Sequence, residues 1–412
     1  MDSSRPRVLF YSTYPFWGGS EKFWYETVLD ARFRDRIECH VMLADNPNMR
    51  PRAEHLKSLG VAVIWYPSAE PGLVTRIGRR LRRTVRPKEP PWEERYWLNV
   101  LGCCRPSLVW FNLATLSDVM MVRTAAAACR TRSVPYWLIV QQAFEQFFLR
   151  SDAETERFAA IVEGAQRVVC IAERNRMSLE RAIGRRLNNV WMTVNALPHE
   201  FVERAVALSH THPVRTEGTA RLLNLARFDP MWKGHHILLE ILGSRRWQHR
   251  DWRLRCQGGG YSPKLVERLV SFYGVPADRV ELCGNTDDVL TAIGECDLFV
   301  MPSLCEGTPY ALVEAMACAR PVVGTPVGGI PELVVEGETG WLSDSTEVAD
   351  VADALERAWA ARQQWREYGA RAQALIASAY DQQHTIPTII QALCEDAQRV
   401  SSWALTPARD VA

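Results

Sequence analysis

The chain has 412 residues, enough for two cores at roughly 150 residues per domain. Hydrophobic residues make up 47% and charged residues 24%, a globular balance that argues against a disordered or fibrous protein. Lys and Arg number 49 against 48 Asp and Glu, a net charge of +1, which argues against a globally basic nucleic-acid binder.

The 11 cysteines include no CxxC pair, so neither a structural zinc site nor a disulfide-stapled domain is expected. The start meets an apolar run almost at once without a long signal-peptide core. No apolar stretch reaches the roughly 18 residues that cross a bilayer. These features read as a cytoplasmic protein.

In chain order, RVLFYSTY over 7–14 is the first expected strand. A glycine turn at Gly18-Gly19 follows, then a helix from Ser20 to about Arg32. Strands are expected at 37–43, 60–66, 107–113 and 134–140, a helix at 152–165, and strands at 167–171 and 190–194. Periodicity fades over 198–219, which reads as the connection between domains. A second series brings strands at 221–226, 252–256, 280–283, 297–301 and 321–325, then helices at 346–365, 369–379 and 385–401. Such alternation predicts parallel sheets in two open α/β domains, with a cleft between facing strand ends. One run breaks the charge balance: 76–88 holds seven basic residues and no acid. It reads either as a solvated face or as a contact with an anionic membrane surface or acceptor.

The most informative stretch is 302–342, PSLCEGTPYALVEAMACARPVVGTPVGGIPELVVEGETGWL. Glu306 lies in the turn after a strand, before Gly307. Thr308 and Pro309 suit a helix cap and a first helical residue. Glu314 follows among apolar neighbours, where a buried acid needs partners. Two such acids can reach different parts of one ligand; alternatively, the first caps a loop and the second belongs to a packing network. A second cluster, NLARFDPMWKGHHILLE, sets Arg227 at a strand end and Lys233 at a loop or helix start. Two cations so placed can neutralise a diphosphate; surface salt bridging is the other reading. The adjacent His235 and His236 do not by themselves make a metal site. WGGSE, residues 17–21, follows the first strand without a full GxGxxG, and no GxxxxGK[ST] occurs, which disfavours dehydrogenases, kinases and ATPases.

Taken in order, P-S-x-x-E-G, the second acid Glu314, E-A-M-A, R-P-V-V, Gly328-Gly329, Glu332 and Gly340 resemble the retaining glycosyltransferases of family 4, which have the GT-B fold. With the N-terminal elements, the resemblance covers most of the chain. It implies two Rossmann-like α/β domains: an acceptor-binding domain over 1–200, a donor-binding domain over 201–384, and a C-terminal helical segment, 385–412, packing back on the first. It gives Glu306 the sugar hydroxyls and donor-side transition state, Glu314 the nucleotide ribose, and Arg227 with Lys233 the diphosphate. Gly307, Thr308, Pro309 and Tyr310 fall on the donor side with them, as do Gly18 and Gly19, for which a simple turn is the alternative.

Asn195 matches a strand-end asparagine that either holds the interdomain backbone or approaches the acceptor. Many family members carry a histidine in the acceptor domain where this chain has Gln141-Gln142. Glutamine hydrogen-bonds sugar hydroxyls but is no imidazole base. Gln142 and Glu145 are candidate acceptor contacts, with packing or capping as the alternative, and Trp17 is a candidate for stacking on a sugar. The implied activity is transfer of a sugar, in the hexosyltransferase class, from a UDP- or GDP-sugar to a glycan, lipid-linked or small-molecule hydroxyl. No cofactor, metal or nucleic acid is expected. A phosphorylase, a nucleotide-sugar epimerase and a non-catalytic nucleotide-sugar binder are the competing readings.

Overall fold

The computed structural model describes residues 5–15, 17–66, 92–144, 146–286 and 288–401. The basic run 76–88, Glu145 and Asp287 lie outside the described residues.

In the first half, seven strands form one sheet: β1 (Arg7–Ser12), β2 (Glu38–Ala44), β3 (Ala62–Tyr66), β4 (Leu108–Leu113), β5 (Tyr136–Val140), β6 (Arg167–Cys170) and β7 (Val190–Met192). Their order is β3-β2-β1-β4-β5-β6-β7, with every pairing parallel. The second half repeats the plan with β8 (Ala220–Leu225), β9 (Trp252–Gln257), β10 (Val280–Cys283), β11 (Leu298–Met301), β12 (Val322–Gly324) and β13 (Gly340–Leu342). This sheet runs β10-β9-β8-β11-β12-β13, again parallel throughout. Central strands β4, β5 and β11 are buried along their whole length, because helices cover both faces of a doubly wound sheet.

Every strand except β13 falls on a run expected from the sequence. Its three residues, Gly-Trp-Leu, are too few to show alternation. The stretch 198–219 is not simply a connection, since His199–Thr211 is a helix. Only Val202 and Ala205 in it are buried, a stripe too thin to register as periodicity. The helix expected over 346–365 ends at Ala360 and is followed by a tight turn, Arg362–Gln364, and a new helix, Trp365–Ala379. No proline or glycine marks that break. Trp365 makes it, being fully buried with its indole N–H on Ala358 O at 2.7 Å.

The chain passes between the halves twice, and the crossings are bonded together. Leu197 N donates to Tyr380 O at 2.7 Å and Gln382 N to Leu197 O at 2.9 Å. The last helix, Gln382–Ser401, then returns to the first sheet. There Ile386, Ile389, Ile390 and Leu393 pack with Val8, Phe10, Trp110 and Trp137. At about 1.5–3 kcal/mol per buried aliphatic side chain, this apolar face dominates the docking.

In both sheets the strand order reverses between the first and fourth strands. Loops after β1 and β4, and after β8 and β11, therefore diverge there and leave a crevice at the carboxyl ends. The two crevices face each other.

Candidate functional site

The facing switch points enclose a cleft of about 340 Å³. Gly18, Gly19, Gln142 and Asn195 line it from the first half, and Arg227, Lys233, Glu306, Gly307, Thr308, Pro309 and Tyr310 from the second. A larger groove, about 490 Å³, lies over β8, β9 and β10. Arg221 and Arg255 there are already paired with Asp297 and with Glu281 and Glu295, whereas the smaller cleft gathers the chemistry. Among the described residues no group of three or more His, Cys, Asp or Glu is placed to hold a metal ion.

Two loops bring Lys233 and Glu306 together. Lys233 ends the short helix Pro230–Lys233, and Gly234 turns the chain with φ of 63°. A Cβ at Gly234 would lie 1.8 Å from Pro302 O, so only glycine lets this loop approach the one after β11. Leu304 N on Trp232 O, 2.8 Å, ties the loops together. Lys233 Nζ then sits 2.5 Å from Glu306 Oε1, which also accepts from Ser303 Oγ at 2.8 Å. Both charges are largely out of water, with side chains 15% and 7% exposed.

Arg227 leaves the end of β8 and donates from Nη1 to the Tyr14 hydroxyl of the other half, 2.7 Å away. Tyr14 also meets the Tyr261 hydroxyl at 3.1 Å. Burial, helped by the Tyr261 contact and opposed by Arg227, pushes the Tyr14 phenol up to about 12.

The loop carrying Glu306 is pressed against the first half. A Cβ at Gly307 would lie 1.7 Å from Gln141 O. Thr308 Oγ1 donates to Ile171 O at 2.6 Å, and Asn195 Nδ2 donates to Thr308 O at 2.8 Å. Thr308 is therefore not a helix cap: its hydroxyl is spent across the cleft. Pro309 takes the N-cap position, and the helix starts at Tyr310. That helix, YALVEAMA, is buried at nearly every position, as an element apolar all round must be. Glu314 within it is 4% exposed and accepts from Lys22 Nζ of the first half at 2.6 Å.

Two helices begin at the cleft, Gly19–Leu29 and Tyr310–Ala317. Their helix dipoles add positive potential to that of Arg227 and Lys233. Together they suit an anion with several oxygens, such as a diphosphate. Glu306 and Glu314 are acceptors for hydroxyl donors.

Other expected residues are placed differently. Gln141 is buried, with Nε2 on Asn112 Oδ1 at 3.1 Å and Oε1 without a partner among the described residues. Trp17 is not on the cleft wall: its ring packs on Tyr25 at 5.0 Å and carries the Arg52 guanidinium at 3.8 Å. His235 is buried, and neither ring nitrogen has a hydrogen-bond partner among the described residues. Burial first, and Lys233 second, lower its pKa to about 4, so it is neutral. Tyr14, Lys22 and Trp232 went unnoticed in the sequence; only Tyr14 offered a cue, its position at the end of the first strand.

Structures already solved share this architecture. Over 94% of this chain and 98% of theirs, it is superposable on Anabaena Alr3699/HepE in complex with UDP and glucose, with a TM-score of 0.69 at 20% identity. The fold is GT-B. Residues 219–361 match the family model of glycosyl transferases group 1. Among curated proteins, the putative colanic acid biosynthesis glycosyltransferase WcaL of Salmonella typhimurium is 34% identical over 131 residues, 30% of this chain and 32% of that one. The GDP-mannose-dependent alpha-(1-6)-phosphatidylinositol monomannoside mannosyltransferase of Mycolicibacterium smegmatis is 32% identical over 177 residues, 37% of this chain and 46% of that one. The matched part spans about a third of the length of the first such relatives. No described helix is long and apolar enough to cross a membrane.

Proposed function

We propose that this GT-B chain is a retaining glycosyltransferase of family 4, moving a sugar from a nucleoside-diphosphate sugar to a hydroxyl of a glycan, lipid-linked or small-molecule acceptor. One observation carries the reading: Arg227, Lys233, two helix N-termini and Glu306 converge in the switch-point cleft. The group 1 match over the second half and the glycosyltransferase names of the relatives support it.

In this reading the second half, 201–384, binds the donor and the first, 1–200, the acceptor, with the segment 385–412 packing back on the first. Arg227 and Lys233 hold the diphosphate, Glu314 the ribose, and Glu306 the transferring sugar. Gly18, Gly19, Gly307, Thr308, Pro309 and Tyr310 shape the donor side; Gln142, Glu145 and Asn195 belong to the acceptor side. The acceptor oxygen attacks the anomeric carbon on the face the diphosphate leaves. The carbon–oxygen bond to phosphate breaks through an oxocarbenium-like state, and the acceptor's proton passes to the departing phosphate oxygen. Negative charge grows on that oxygen beside Arg227 and Lys233, where preorganised cations act most strongly. The chemistry requires no metal. The enzyme works in the cytoplasm, at the inner membrane face when 76–88 meets anionic lipid.

The test is nucleotide release from a panel of UDP- and GDP-sugars in the presence of EDTA. One donor should be turned over, and Arg227→Ala or Glu306→Gln should lower kcat/KM about 10²- to 10³-fold. Nucleotide that is neither bound nor released would sink the reading. Binding without release, across a broad acceptor panel, would favour a non-catalytic binder.

A further inference from the structure

Every charge assigned to the donor already has a partner: Arg227, Lys233 and Glu306 on the cleft wall, and Glu314 buried behind Tyr310, off that wall. Lys233 and Glu306 satisfy each other within the second half. Arg227 and Glu314 instead take theirs from the first half, Tyr14 at 2.7 Å and Lys22 at 2.6 Å. The polarity of each contact matters. Glu314 is an acceptor, and Lys22 presents donors to it, as ribose hydroxyls would. Arg227 is a donor, and the Tyr14 oxygen accepts from it, as a phosphate oxygen would.

Lys22 is the more exposed member of its pair. Its side chain is 31% exposed, whereas that of Glu314 is 5% exposed. It lies over the Tyr310 ring, 5.4 Å from the centroid. The Tyr310 hydroxyl is buried and has no hydrogen-bond partner among the described residues. Glu26 is close as well: burial holds its carboxyl above the ordinary range, Lys22 opposes that rise, and the Glu314 charge adds to it. A buried phenol without a partner is destabilising.

We propose that Lys22 and Tyr14 are placeholders that occupy the donor site from across the cleft: Lys22 stands in for the ribose hydroxyls on Glu314, and Tyr14 for a diphosphate oxygen on Arg227. This rests on the donor roles proposed above for Glu314 and Arg227. A nucleotide displaces both side chains, so donor binding and the cross-cleft contacts compete. Each arrival of donor thereby frees two of the bonds that join the halves.

Equilibrium titration with UDP, GDP, uridine, guanosine and the 2′,3′-dideoxy diphosphates tests the idea on the full chain. Loss of a cation weakens any anion in the cleft, so the readout is a ratio of affinities. In Lys22→Met the preference for the ribonucleotide over its dideoxy counterpart should rise roughly three- to tenfold, the range of one ordinary hydrogen bond. In Tyr14→Phe the preference for the diphosphate over the nucleoside should rise by a similar factor. Lys22→Gln, which still donates to Glu314, should fall between wild type and Lys22→Met, and it serves if Lys22→Met does not fold. Wild-type binding with unchanged or reduced ratios in folded variants overturns the placeholder role alone. A wild type that binds no nucleotide overturns the donor site together with it.

Discussion

Glu21 is a carboxylate with no exposure, in the first turn of the helix that opens at the cleft. Ser12 Oγ, Ser20 Oγ and Trp24 Nε1 donate to it at 2.9, 3.0 and 2.7 Å. Burial outweighs those bonds and raises its pKa from 4.5 to about 7. Between these values the folded chain holds a proton that the unfolded chain has released, so stability falls as pH rises through that window and levels off above it. The loss is on the order of 3 kcal/mol. Glu26 and Glu332 are also raised, so the comparison with a variant isolates Glu21. Urea midpoints at pH 5 and pH 8 should differ less in Glu21→Gln than in wild type; an equal difference would place the titration elsewhere. At this scale Arg227, Lys233, Glu306 and Glu314 were legible because each stands in a local pattern of strand end, glycine and helix start. Lys22 was not, since its partner is 292 positions away and no local spacing announces such a pair.

At the scale of the element, glycine decides how closely two backbones approach. Gly328 has φ of 53°, and a Cβ there would lie 2.2 Å from Glu306 O. Gly307 faces the end of β5 with no room for a methyl group, since the nearest atom is the backbone oxygen of Gln141. Gly307→Ala should therefore push the Glu306 loop off the first half. A shift near 1 Å costs about 10²-fold in rate, so nucleotide release should drop by that order, with far-UV dichroism unchanged and a larger radius of gyration in solution scattering. Full activity at an unchanged radius would mean that the loop tolerates a different seat. The strands were legible because buried parallel strands are continuous apolar runs. The helix His199–Thr211 and the break before Trp365 were not, because a two-residue stripe and a tryptophan anchor act only once neighbours are in place.

For the whole molecule, the last helix makes the two halves one unit. Its Asp396 is buried under Arg167, at 2.6 Å from Nε and 3.2 Å from Nη2, and accepts from Trp137 Nε1 at 2.9 Å. Removing one partner of a buried pair strands the other charge. Asp396→Leu should lower stability by about 2–4 kcal/mol, read by urea denaturation. Glu395→Ala, whose contact to Arg167 is 3.9 Å and half exposed, should change it by less than about 0.5 kcal/mol. Equal effects would show that packing of Ile386, Ile389 and Leu393, and not the charge pair, sets the register of this helix.

The amino-acid sequence by itself determined the alternation of strands and helices, the two-sheet plan, and the loops at strand ends where acids, cations and glycines collect. Those are short-range properties: apolar period, turn chemistry and the backbone freedom of glycine. Only the tertiary structure decided which charges meet, that Trp17 is turned to Arg52 and Thr308 to Ile171, and that Lys22 and Tyr14 reach Glu314 and Arg227 from the opposite half. Contacts between residues hundreds of positions apart are made by sheet order and by the return of the last helix, and neither leaves a periodic trace in the chain.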